Sequence, residues 1–134
     1  LNEASGAAQG GYVLRESNDQ PQAILLSTGS EIHVALEASA ILEHRGIGAR
    51  VVSMPSFEIF DEQSKDYREH VLPSSVKVRV AIEAGGSAGW DRFVGEKGRI
   101  IGIDRFGASA PAATVYKQLG LTADNVVYTV LALM

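Results

Sequence analysis

Apolar runs and helical patterns alternate along the chain, and the apolar runs predict strands. The run RVVSMP at 50–55 follows a helical pattern, contains two adjacent β-branched valines and stops at a proline. A run of this kind is typical of a buried central strand in a parallel sheet. Further parallel, central strands are predicted at 23–28, 78–83 and 100–103, and a short strand at 11–14 is predicted to be antiparallel or at an edge.

Period-two alternation supports the strand that ends at Glu83. From position 76 onward, apolar and polar residues alternate, which is the pattern of a strand with two different faces. One face is predicted to carry Val76, Val78, Val80 and Ile82, and the other Lys77 and Arg79.

Helices are predicted between the strands. The first begins at Ser30, whose hydroxyl is expected to cap it, carries apolar residues at helical spacing and ends near Gly46 or Gly48. A turn or short helix is expected at 56–61, and helical segments are expected at 62–70, 90–94, 111–119 and 122–134.

This order of elements predicts one α/β domain. Its sheet should be open and mostly parallel, with helices on both faces and right-handed crossovers. Residues 1–10, LNEASGAAQG, are expected to be a linker or flexible terminus, and residues 11–134 a single domain. Because the chain starts at Leu1 within that segment, we expect a fragment of a longer protein or a trimmed chain.

Composition narrows the possible partners. The formal net charge of −4 disfavours nucleic acid and anionic membrane surfaces. The chain has no cysteine, which excludes disulfides and thiolate chemistry. No apolar run approaches the roughly 18 residues that a membrane-spanning helix needs. The aromatic residues Phe57, Phe60 and Trp90 are more typical of a core or a domain interface than of a ligand-stacking site.

A small ligand site is possible where the strands end. The carboxyl edge of an open α/β sheet is where such folds place ligands, and Gly29, Ser30, Ser56, Glu83 and Gly85 are predicted to lie there. The strand-to-helix turn at Ser30 would suit an anion, but it lacks GxGxxG and P-loop patterns, so capping is the favoured interpretation. The glycine cluster is better explained as a tight turn, and Glu83 as a structural hydrogen-bond acceptor.

No catalytic group of residues is apparent. The histidines His33, His44 and His70 do not have metal-binding spacing, and HExxH is absent. Ser53 and Ser56 lack a triad-like motif, and GxSxG is absent. The residues alone therefore predict no reaction for this chain.

The order of several segments resembles the C-terminal domain of transketolase, most closely the bacterial type. The resemblance runs from Gly10 to the end of the chain. It rests on GGYVL at 10–14, LLSTGSE at 25–31, RVVSMPSFEIFD at 50–61, YREHVLP at 67–73, VAIEAG at 80–85, GIDRFGASAP at 102–111 and LGLTADNVV at 119–127.

The resemblance implies a fold and a parent activity. The family's third domain has a mixed five-stranded sheet with one antiparallel strand, within a three-layer α/β/α architecture. A complete transketolase transfers a two-carbon ketol unit between sugar phosphates in the pentose phosphate pathway, using thiamine diphosphate and a divalent metal such as magnesium. The family binds that cofactor between its two preceding domains, at a dimer interface, and the corresponding motifs are absent here.

The resemblance therefore implies no catalytic, cofactor-binding or metal-binding residue in this chain. Its expected role is structural: packing on the preceding domains of a homodimeric cytoplasmic enzyme, with no nucleic acid or membrane partner. Three alternatives stay open. They are a regulatory ligand-binding domain, the equivalent domain of another thiamine-diphosphate enzyme such as deoxyxylulose-phosphate synthase, and an independent binding protein with the same fold.

Overall fold

The computed structural model describes residues 8–83, 89–102 and 121–134, and within them strands and helices alternate. The strands are β1 (Tyr12–Arg15), β2 (Ala23–Ser27), β3 (Ala49–Ser53), β4 (Arg79–Glu83) and β5 (Arg99–Gly102). The helices are α1 (Ile32–His44), α2 (Phe57–Asp61), α3 (Lys65–Val71), α4 (Asp91–Val94) and α5 (Ala123–Leu133).

The strands form one mixed sheet in the order β1-β3-β2-β4-β5. Strand β1 is antiparallel to β3, and all other neighbours are parallel. In the centre, Leu25 of β2 pairs with Val51 on one side and Val80 on the other. The predicted five-stranded, mostly parallel sheet with an antiparallel edge strand is confirmed.

The prediction that the strand at 100–103 is central is wrong. Strand β5 is paired with β4 alone among the described strands. Its first residue, Arg99, is exposed and Ile100 is half-buried, whereas all five positions of β2 and β3 are buried. The central places beside β2 are already taken by β3 and β4, so this short run adds at the far edge.

Helices cover both faces of the sheet. Val51 faces a core shared with α1 and α5, whereas its neighbour Val52 faces a core shared with α2, α3 and α4. Both valines are fully buried, because successive side chains of a strand point to opposite faces and both faces are covered here. The expected three-layer α/β/α architecture is therefore observed.

Hydroxyl side chains begin three of the helices. The Oγ atoms of Ser56 and Ser64 accept hydrogen bonds from backbone N–H groups in the first turns of α2 and α3. The Oγ1 atom of Thr122 accepts one from the N–H of Asn125 at 3.2 Å, which confirms the predicted capped start of the last helix.

The predicted cap at Ser30 is wrong. A 3₁₀ turn, Gly29–Glu31, precedes α1, so Ser30 lies inside a turn instead of at the helix boundary. Its Oγ donates a hydrogen bond to Oε2 of Glu31 at 2.8 Å. Helix α1 consequently starts at Ile32, without a side-chain cap.

The shared face predicted for the alternating segment holds only for its later residues. Val80 and Ile82 belong to the α1/α5 core, and Val78 packs against it, but Val76 lies in the opposite core. The reason is local: the N–H of Val76 donates to the carbonyl of Pro73 in a turn, so the regular strand begins only at Arg79.

Several predictions fall outside the described residues. They concern residues 1–7 of the linker predicted at 1–10, residues 84–88 of the glycine-rich turn predicted at 84–89, the loop at 104–110 and the helix at 111–119. Within the part of the chain that the structure describes, no helix is both long and apolar enough to cross a membrane.

Candidate functional site

The predicted ligand-site residues lie at the carboxyl edge of the sheet. Gly29 and Ser30 follow β2, Ser56 follows β3, and Glu83 is the last residue of β4. Gly85 lies outside the described residues. The structure thus places the four described residues at the common edge that the sequence predicted.

The strands end at the same level there. Ser27 pairs with Ser53 on one side and with Ile82 on the other. The Oγ of Ser27 donates to the carbonyl oxygen of Ile82 at 2.8 Å, and the carbonyl oxygen of Ser27 accepts from the N–H of Met54 at 2.9 Å. Helix α1, which follows β2 in the chain, packs on one face of the sheet, and α2 and α4 pack on the other.

Structural hydrogen bonds engage both serine hydroxyls of the predicted site. The Oγ of Ser56 caps α2 through the N–H of Ile59 at 3.2 Å, and its own N–H donates to the carbonyl of Gly10 at 2.9 Å. The Oγ of Ser30 donates to Glu31. Both hydroxyls already help to shape the turns in which they lie.

The segment before β1 is held tightly at this edge. Gly10 has a φ of +81°, and a Cβ there would lie 2.3 Å from the backbone nitrogen of Phe60. The carbonyl oxygen of Gly11 accepts a hydrogen bond from the hydroxyl of Tyr67 at 2.8 Å. The chain therefore enters the domain against α2 and α3.

Aromatic rings pack beneath this entry point. Phe57 meets Trp90 and Phe93 edge-to-face, with ring centroids 4.8 and 4.9 Å apart. The guanidinium of Arg92 lies 4.6 Å from the centre of the Phe93 ring and forms an ion pair with Asp61. Trp90 is buried, as predicted for a core residue, but Phe57 is only half-buried.

Apolar surface is exposed beside these rings. Pro55 is exposed, Phe57 is half-buried and Ile59 is 40% exposed. We call these three residues the edge patch. The hydrogen bond between Ser56 and Gly10 places the edge patch beside the point where the chain enters the domain.

Two cavities formed by described residues lie elsewhere, and neither is lined by the predicted site residues that the structure describes. One, of about 390 Å³, lies between α2, α3 and α4, and oppositely charged side chains such as Asp61 and Arg68 line it. The other, of about 400 Å³, lies at the amino edge of the sheet and is lined by residues including Lys77, Arg79 and Lys97. No sequence motif marks the amino edge, and the general rule for such sheets points to the carboxyl edge.

The charged side chains offer little as a metal site. Among the residues that the structure describes, no three histidine, aspartate or glutamate side chains are grouped so that they could hold a metal ion.

Comparison with known proteins identifies relatives over nearly the whole chain. A family model described as the transketolase-like C-terminal domain matches residues 10–122. A chloroplastic transketolase of Craterostigma plantagineum is 54% identical over 124 residues, which are 91% of this chain and 24% of the relative. A transketolase of Physarum polycephalum is 56% identical over 122 residues, 91% of this chain and 18% of the relative.

Solved structures agree with these matches. Transketolase from Leishmania mexicana aligns with a TM-score of 0.88 at 36% identity, covering 98% of this chain and 19% of that one. A split-gene transketolase chain, described as an inactive β4 tetramer, aligns with a TM-score of 0.70 at 25% identity, covering 93% of this chain and 42% of that one. The chain thus spans less than half of each of these proteins, and about a quarter or less of the two curated relatives.

Proposed function

Since this chain belongs to the transketolase C-terminal domain family, we propose that it serves as the non-catalytic C-terminal domain of a transketolase. The parent enzyme would transfer a two-carbon ketol unit between sugar phosphates in the pentose phosphate pathway. It would be a cytoplasmic homodimer, with thiamine diphosphate and magnesium held by its other domains. The role of this chain would be to pack against those domains.

The observation that carries this proposal is the position of the edge patch. In a C-terminal domain, the polypeptide from the preceding domains enters through Gly10. The carbonyl oxygen of Gly10 accepts a hydrogen bond from the N–H of Ser56. The exposed Ile59 and the half-buried Phe57 flank that entry. A preceding domain of the same chain is thus tethered next to apolar surface that is favourable to bury, at about 25 cal/mol per Å².

The split-gene relative supports the proposal that this domain alone is not catalytic. The solved chain of that protein is more than twice as long as the part that this chain covers, and it is described as inactive. A chain that contains this domain together with further sequence is therefore not by itself sufficient for activity in that protein.

Association in trans tests the proposed packing role. The 134-residue chain would be mixed with a Physarum polycephalum transketolase truncated before its C-terminal domain, and complex formation measured by sedimentation velocity. We expect a complex that Ile59→Arg weakens at least tenfold, because the arginine would bring a charge into an apolar contact. The matched control is Tyr128→Arg, at a 71% exposed residue on α5, and it should leave binding unchanged.

If the two arginine substitutions weakened binding equally, the edge patch would not be part of the interface. The positive control is an isolated Physarum polycephalum C-terminal domain mixed with the same truncated enzyme. If that domain forms a complex and the unmodified 134-residue chain does not, the packing role as a whole would be contradicted.

A regulatory ligand at the carboxyl edge is the second candidate. It is favoured by the positions of Gly29, Ser30 and Glu83 at the carboxyl edge of the sheet, where open α/β folds place their ligands. A thermal-shift screen with small metabolites tests it, since a ligand that binds only the folded state must raise Tm. No shift with any compound would leave packing as the function of this edge.

A further inference from the structure

The cavity at the amino edge of the sheet has a strongly positive lining. It lies between the segment that leads into β4 and the turn that joins α4 to β5. Its charged residues are Lys77, Arg79 and Lys97 with a single opposing carboxylate, Glu96, so these side chains sum to +2. The whole chain carries −4, so this cavity reverses the charge of the molecule locally.

Arg79 forms the inner wall, and its charge is not neutralised by a carboxylate. Its guanidinium donates to the carbonyl oxygens of Val76, Leu72, Pro73 and Phe93, at 2.7 to 3.3 Å. Within the described ranges no carboxylate oxygen lies within 4.0 Å of it. Burial lowers the pKa of Arg79, although the more distant Glu69 acts in the opposite direction.

The hydrogen bonds of Arg79 go to neutral groups. Its Nε, Nη1 and Nη2 donate to four backbone carbonyl oxygens and to no carboxylate among the described residues. A half-buried guanidinium bonded in this way retains positive charge that attracts an anion, and the more distant Glu69 offsets part of it.

The two lysines are placed to complete such a site. Lys77 and Lys97 are exposed at the rim, and neither has a carboxylate within 4.0 Å in the part of the chain that the structure describes. They are therefore not engaged in ion pairs that an anion would have to break. An ammonium group on a flexible stem is a common phosphate-binding group in proteins.

We propose that this amino-edge cavity binds the phosphate group of a small phosphorylated compound, with Lys77 and Lys97 contacting the phosphate oxygens and Arg79 supplying positive charge from the inner wall. The volume of about 400 Å³ accommodates a small molecule attached to the phosphate. This site lies at the edge opposite to the one predicted from the sequence, and it is independent of the packing role.

Arg79 also has a structural role, which decides the choice of variants. It ties the end of α3 to the end of α4 through its carbonyl bonds, so its removal would disturb the fold as well as any ligand site. The exposed lysines carry no such bonds in the described residues, and substituting them changes charge with little effect on folding.

The test is a ¹H–¹⁵N NMR titration of the 134-residue chain at constant ionic strength. The probes are inorganic phosphate and glycerol 3-phosphate, with chloride as the reference anion. We expect saturable shifts that centre on the amides of Lys77, Glu96 and Lys97. The double variant K77Q/K97Q should weaken binding at least tenfold, as expected when two charge-assisted contacts are lost. The matched control R45Q/K65Q removes two exposed charges outside this cavity and should change the affinity less than twofold.

Each outcome is informative. Binding of glycerol 3-phosphate at least as tight as that of inorganic phosphate supports a phosphorylated compound as the ligand, whereas at least tenfold weaker binding would show that the cavity takes only the free anion. Shifts that do not saturate, shifts centred elsewhere, or equal weakening in both double variants would overturn the proposal. The amide spectra themselves report whether each variant is folded, so a loss of binding cannot be mistaken for unfolding.

Discussion

Arg50 and Glu16 form a bidentate ion pair that joins strand β3 to the segment after β1. The Nε of Arg50 donates to Oε1 of Glu16 at 2.9 Å, and Nη2 donates to Oε2 at 2.8 Å. The Nη1 of Arg50 also donates to the carbonyl oxygens of His70 and Val71 at the end of α3. One buried guanidinium thus links β1, β3 and α3.

Replacing Glu16 with glutamine should destabilise the fold. The Arg50 side chain is 8% exposed, so the loss of its anion leaves a buried charge poorly compensated, whereas Glu16 itself is 50% exposed. A hydrogen bond to a charged group contributes more than a neutral one, but the exposure of Glu16 to solvent screens the ion pair. We therefore expect the free energy of unfolding to fall by about 1–2 kcal/mol. Urea denaturation measures it. Glu37→Gln, at an exposed position of α1, is the control, and an equal loss in that variant would contradict this account.

The same pair should make stability depend on acid pH. Burial alone would raise the pKa of Glu16, but the bonds from Arg50 and from the N–H of Ser17 outweigh it and hold the pKa below its usual value of 4.5. The folded state therefore releases this proton more readily than the unfolded state. The stabilisation is complete above about pH 4.5, the usual value, and is lost as pH falls through the lower folded-state pKa. Urea midpoints between pH 3 and 6 should fall less steeply for Glu16→Gln than for the unmodified chain, and parallel curves would exclude this linkage.

Alanine at Gly10 should be far more harmful than alanine at Gly46. Both glycines have positive φ, +81° and +83°, which disfavours a side chain at either position. At Gly46 nothing lies within 4 Å of the added Cβ, so only the backbone cost of about 1 kcal/mol applies. At Gly10 the Cβ would meet backbone atoms of Ser56 and Phe60 at 2.5 and 2.3 Å, and these cannot move without displacing α2. Thermal unfolding should therefore show a Tm drop for Gly10→Ala at least twice that for Gly46→Ala. Equal drops would mean that the entry segment is not held as described.

Local patterns predicted much of this fold because they report burial directly. The adjacent valines Val51 and Val52 indicated a strand covered on both faces, and each indeed faces a different core. The edge position of β1 followed from its short length and the family resemblance. Strand β5 was misplaced because an apolar run indicates burial but not the order of strands, which depends on where earlier strands have already paired.

The polar features were harder to predict because their partners are distant in sequence. Arg50 lies within the run that defined the central strand, yet its partner Glu16 is 34 residues away, and no spacing rule connects them. Arg79 was assigned to a strand face by alternation, but its bonds depend on how the ends of α3 and α4 approach β4. Such tertiary contacts appear only once the elements are packed.

Aspartate at Val52 should prevent folding. The side chain is fully buried in the hydrophobic cluster between the sheet and α2, α3 and α4. An unpaired buried carboxylate costs several kcal/mol, which is about the whole stability of a small domain. The variant should not be expressed in soluble form, and any protein recovered should lack the circular dichroism spectrum of the folded chain. Ala40→Asp, at an exposed position of α1, should remain folded. A folded Val52→Asp protein with a near-native Tm would contradict the assignment of β3 as a central strand.

The chain alone should neither bind thiamine diphosphate nor transfer a ketol group. Holding a diphosphate through a metal ion requires several ligands grouped in space, and the described residues contain no group of three histidine, aspartate or glutamate side chains that could hold a metal ion. The cofactor supplies the difficult chemistry, so a domain that cannot position it contributes nothing to the reaction step. Isothermal titration with thiamine diphosphate and magnesium should therefore show no saturable heat at micromolar concentrations.

A coupled ketol-transfer assay should likewise stay at the blank rate for residues 1–134, while a complete transketolase under the same conditions is active. If the chain is a packing domain, it should associate with a transketolase truncated before its C-terminal domain, and Ile59→Arg should weaken that association at least tenfold. Tight cofactor binding by the isolated chain would instead place catalytic groups inside it, and would overturn the assignment of cofactor binding to the other domains.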